Sequence, residues 1–88
     1  MFKLPWIKWF RAGNIYTGSV RQDGTMECFQ YRIKIEKDED VLRVWAWCGL
    51  FCFASTPENE IVVKDFSNDE QGREDAAQWL NEMQLKLG

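Results

Sequence analysis

The sequence predicts an α+β fold: an antiparallel three- to four-stranded β-meander packed on one C-terminal α-helix, with a short hydrophobic N-terminal arm or helix. Three observations predict it. Residues 25–36 alternate apolar and polar with period two, residues 41–53 form a longer apolar run, and an apolar stripe with steps of three and four begins at Ala76. The 88 residues suffice for one core and not for two, so a single domain is expected over 1–88. It divides into an arm (1–12), a sheet (13–66) and a helix (67–87).

The arm, Met1 to Arg11, places Phe2, Trp6, Ile7, Trp9 and Phe10 beside Lys3, Lys8 and Arg11. Lys8 interrupts the apolar run and no small-residue cleavage site follows, so the segment is expected to be retained. No stretch approaches the roughly 18 uncharged apolar residues of a membrane span. The mixture of rings and cations also suits peripheral membrane contact through Trp6, Trp9 and Phe10.

The first strand is expected over 13–22 and leads into Asp23-Gly24, a pair favoured in type I′ hairpin turns because both central residues must accept φ > 0. The second, Thr25 to Glu36, sets Phe29, Tyr31, Ile33 and Ile35 on one face and Cys28, Gln30, Arg32, Lys34 and Glu36 on the other. A charged turn, Lys37-Asp38-Glu39-Asp40, joins it to Val41–Phe53. Pairing Glu36 with Val41 puts Ile35 opposite Leu42, Ile33 opposite Val44, Tyr31 opposite Ala46 and Phe29 opposite Cys48. The same register sets Lys34 opposite Arg43, Arg32 opposite Trp45 and Gln30 opposite Trp47, with Phe51 and Phe53 further along that second side.

Pro57 turns the chain before Glu60 to Asp65, whose β-branched residues suit a short edge strand. Ser67 and Glu70 have capping-box spacing, which starts a helix there. Its stripe is Ala76, Trp79, Leu80, Met83 and Leu87, and Gly72 is expected to weaken the first turn.

The net charge of −3 lacks the cationic excess of a phosphate-backbone binder, so nucleic acid is disfavoured as a partner. The charge is uneven, however. Residues 1–37 carry seven Lys/Arg against three Asp/Glu, and residues 38–88 carry four against eleven, giving +4 and −7.

With no histidine, no Ser/His/Asp or Cys/His constellation can be drawn, and no nucleotide-binding glycine motif is present. Asp38-Glu39-Asp40 and Glu74-Asp75 read as solvated surface. The expectation is a non-enzymatic protein with no catalytic residue, cofactor or metal site. Cys28, Cys48 and Cys52 make an odd count that points to free thiols in a reducing compartment, hence the cytoplasm. On a strand Cys48 and Cys52 would lie roughly 13 Å apart, too far to bridge.

One helix covers one side of a sheet, and exposing Trp45, Trp47, Phe51 and Phe53 on the other would forfeit roughly 2 to 3 kcal/mol each. Three covers are available: the N-terminal arm (Trp6, Trp9, Phe10), a second copy of the chain, or an unrelated partner. The expected function is therefore an interaction module binding protein, or itself as a homodimer, through Trp45, Trp47, Phe51, Phe53, Arg32, Lys34 and Arg43. The alternative is a nucleic-acid-binding accessory protein using the same face, with Trp45 and Trp47 stacking bases and Arg32, Lys34 and Arg43 contacting phosphates.

A three-stranded sheet followed by Phe66 and then Ala76-Ala77-Gln78-Trp79-Leu80 resembles the AP2-like N-terminal DNA-binding domains of some integrases. The likeness covers topology and about fifteen residues, a fold-level analogy. It implies DNA binding through the sheet, with Arg21, Arg32 and Lys34 as its basic residues. The third strand departs from that pattern in being far more apolar, and the first two are sparser in Lys and Arg.

Overall fold

Four antiparallel strands lie side by side in chain order, and both helices pack on the same face of the sheet they form. A computed structural model describes residues 3–21, 28–49 and 55–87. Within these, α1 spans Ile7–Arg11, β1 Tyr16–Arg21, β2 Cys28–Glu36, β3 Val41–Gly49, β4 Val62–Ser67 and α2 Glu70–Leu87. A 3₁₀ turn, Glu58–Glu60, precedes β4. The Asp23-Gly24 turn and the third-strand residues beyond Gly49 lie outside the described residues.

The β2–β3 pairing is the expected one at every position, from Glu36 opposite Val41 through Arg32 opposite Trp45 to Phe29 opposite Cys48. A four-residue turn fixes it. Asp40 takes a left-handed conformation (φ 52°), which aspartate tolerates better than most residues. Its carboxylate accepts a hydrogen bond from Asn68 Nδ2 at 2.9 Å, tying the turn to the β4–α2 junction. β4 pairs only with β3 and forms the far edge of the sheet.

Alternation then selects the core. Phe29, Tyr31, Ile33 and Ile35 of β2 meet Leu42, Val44 and Ala46 of β3 beneath Ala76, Ala77 and Leu80 of α2. The alanines let the helix axis approach the sheet closely, while Phe66 and Trp79 close one side edge-to-face at 6.0 Å. Opposite Tyr31, Gly18 leaves room for the tyrosine ring, whose hydroxyl a Cβ at position 18 would strike.

The N-terminal arm, one of the three covers open to the second face, packs elsewhere. Rather than crossing to the side of Trp45 and Trp47, it lies beside α2, with Leu4, Ile7 and Phe10 in the main core. Long-range bonds hold it there, among them the Ile7 N–H donating to Glu70 Oε1 at 2.8 Å and Arg73 Nη1 donating to the Leu4 carbonyl at 3.2 Å. Phe10, grouped at first with Trp6 and Trp9 as a membrane-contacting ring, is only 1% exposed.

The cap of α2 also differs. Asp69, not Ser67, accepts the orphan N–H of Gly72 at 2.7 Å, and the Ser67 hydroxyl donates to Asp69 at 2.9 Å. Glu70 is thereby freed from the capping box and latches the arm instead. No described helix is long and apolar enough to cross a membrane.

Candidate functional site

Because helices occupy one face, the alternate residues of each strand build the other. Register aligns Thr17, Arg32, Trp45 and Val63 in one row across all four strands. The next row holds Lys34, Arg43 and Asp65, and the row on the other flank holds Ser19, Gln30 and Trp47.

Trp45 is the centre of this face. It is partly buried, and the Arg32 guanidinium lies 4.8 Å from its ring centroid, within cation–π range. Next to it on β4, Val63 is 49% exposed. Trp47 is only 3% exposed although it stands outside the cluster under the helices. The two indoles predicted to share the second face do so, with unequal access.

The cations beside them are engaged within the chain. Arg43 donates through Nε and Nη2 to the two oxygens of Asp65 at 2.7 and 3.0 Å, and Nη2 also reaches Glu39. This fork holds the Asp65 carboxyl below the ordinary carboxylate range and raises the Arg43 guanidinium further above its own. Lys34 pairs with Glu36 at 3.8 Å. The predicted cationic flank is thus largely neutralised by neighbouring carboxylates. Phe51 and Phe53, the remaining members of the predicted site, lie outside the described residues.

The described residues contain no group of three His, Cys, Asp or Glu side chains placed to hold a metal ion. Cys48 carries a thiol and is only part-buried.

A second surface surrounds α1, in the arm that was one candidate cover for the sheet. Trp6 is 72% exposed and Trp9 38% exposed. With Ile7, Lys8, Arg11 and Glu70 they line an open cavity of about 680 Å³. Arg73 reaches over the Trp6 ring at 5.0 Å, and Arg11 is tied to Asn68 by bonds of 3.1 and 2.7 Å. The signal for this split was in the helical phase: Ile7 and Phe10, three apart, share one side, and Lys8 with Trp9 lies on the other.

No protein-family model, curated protein or solved structure matches this chain. The resemblance to AP2-like integrase domains finds no support in these comparisons, and here a fourth strand intervenes between the third strand and the helix.

Proposed function

We propose that this chain is a non-enzymatic interaction module that binds protein through the helix-free face of its sheet, with a second copy of itself as the first partner to test. One observation carries the reading. Both helices pack on the same face, leaving the row Thr17–Arg32–Trp45–Val63 on the other, with a tryptophan under an arginine at its centre and a half-exposed valine at its rim. Tryptophan and arginine are the residues that most often dominate binding energy at protein interfaces. The internally matched Arg43–Asp65 fork beside them provides a polar border that needs no outside phosphate to balance it. The thiol of Cys48 suits a reducing compartment, and the cytoplasm belongs to the same reading.

Sedimentation velocity over a range of concentrations tests this on the wild type, Trp45→Glu and Val63→Glu, with circular-dichroism melts as the fold control. The expected result is a wild-type dimer that Val63→Glu converts to monomer without a change in melting. A wild type that stays monomeric at the highest concentration removes the second copy as occupant. A Val63→Glu chain that dimerises as before moves the contact off this face.

A further inference from the structure

The arm has two sides, one buried in the core and one exposed. Leu4, Ile7 and Phe10 are buried, whereas Trp6, Trp9, Lys3, Lys8 and Arg11 are exposed on the surface around α1. The helix contains no acidic residue. The one carboxylate lining its cavity, Glu70, already accepts the Ile7 N–H and the Arg73 Nε–H at 2.8 and 2.7 Å. Among the described residues no ion pair engages Lys3 or Lys8. The unspent charge of this surface is therefore positive, and it sits beside two accessible indoles.

We propose that this surface docks on an anionic lipid bilayer, with Trp6 and Trp9 at headgroup depth and Lys3 and Lys8 against the lipid phosphates. An indole is amphipathic and settles at the membrane–water boundary, and each nearby lysine gains from a negative surface potential. The cavity is open, with both indoles in its lining; a bilayer requires no deep pocket, whereas an acidic peptide would need anchoring sites for its own side chains. The latch between Ile7 and Glu70 presents the indoles from a platform fixed to α2. A five-residue helix gives weak, reversible attachment, as expected of a single membrane signal.

Co-sedimentation of the full chain with vesicles tests the proposal, using phosphatidylcholine alone and phosphatidylcholine mixed with phosphatidylserine. Binding is expected to the mixed vesicles only and to fall as salt rises. Trp6→Ala should lower the partition coefficient roughly tenfold through lost apolar burial. Lys8→Glu should lower it by about tenfold or more through reversal of one charge. Both side chains lie outside the core, so both variants should melt like the wild type. Val63→Glu should bind vesicles normally, which separates this surface from the sheet face. The proposal is overturned by absence of binding at low salt, by Trp6→Ala binding as well as wild type, or by equally tight binding to soluble poly-glutamate. That last result would assign the patch to an acidic protein.

Discussion

Gly72 rests so closely on Ser67 that a Cβ at position 72 would overlap the Ser67 carbonyl oxygen and lie 2.7 Å from the carbonyl carbon. In an ordinary exposed helix, alanine is favoured over glycine by about 1 kcal/mol. Here the sign reverses, because the chain must fold back from β4 into α2 over that glycine. Gly72→Ala should destabilise the protein by about 1–3 kcal/mol in urea denaturation. Equal or greater stability would show that the junction relaxes easily.

The core under α2 sets the next expectation. Leu80 is fully buried against β3 and β2 side chains, so Leu80→Ala should lower stability by about 2–5 kcal/mol. Val63→Ala, on the other face and half exposed, should stay within about 0.5 kcal/mol of wild type. Paired denaturation curves decide whether the helix side alone carries the fold.

Tyr31 makes stability sensitive to alkali. Burial, then the neighbouring Tyr16, pushes its hydroxyl up to about 12 from the ordinary value of 10.0. Between those values the unfolded chain has released a proton that the folded chain still holds, so stability declines as pH rises through that window and is intact below it. Denaturation midpoints at pH 9 and 11, with absorbance titration of phenolate, should show the decline. Tyr31→Phe should remove most of it.

At the acid end, Glu70 is held below its ordinary range chiefly by the Ile7 N–H, and Asp69 by the Gly72 N–H. Each bond stabilises the ionised form, so their contribution is present above the unfolded carboxylate values and is lost as pH falls through the lower folded ones. Glu70→Ala should therefore flatten the decline in stability as pH falls below the ordinary carboxylate range, and detach the arm. Faster amide exchange at Ile7 in the variant at neutral pH is the direct readout.

The Arg43 fork predicts a salt-dependent effect. Arg43→Met should lower stability at low ionic strength and less so at high, because both carboxylates it meets are substantially exposed. A double-mutant cycle with Asp65→Asn isolates the pairing; a coupling of zero would leave the fork a contact without energetic weight.

The sheet was the most legible part of the molecule. Phe29, Tyr31, Ile33 and Ile35 alternate so cleanly that one charged four-residue turn suffices to set the register with Leu42, Val44 and Ala46. The stripe on α2 was nearly as plain, although Ala77, which it omitted, is buried beside Ala76 and Leu80. The arm was not, because a ring carries no sign of the face it will seek: Phe10 and Trp9 are neighbours in sequence, and only helical phase separates buried from exposed. The start of α2 was ambiguous for a related reason, since Ser67 and Asp69 can each cap, and the tight approach of Gly72 decides for Asp69. In the second face, alternation placed Trp45 and Trp47 correctly, yet the pairing of Arg43 with Asp65 depended on a β4 register that six residues of weak pattern could not specify.

The bonds that join Leu4 and Ile7 to Arg73 and Glu70 span 69 and 63 positions of chain. During synthesis the segment bearing Trp6, Trp9 and Phe10 leaves the ribosome long before its docking residues have been translated. For that interval its oily side has only the part of its native resting place that β1 and β2 supply, so closure of the hydrophobic interior is a late event, completed only when α2 emerges.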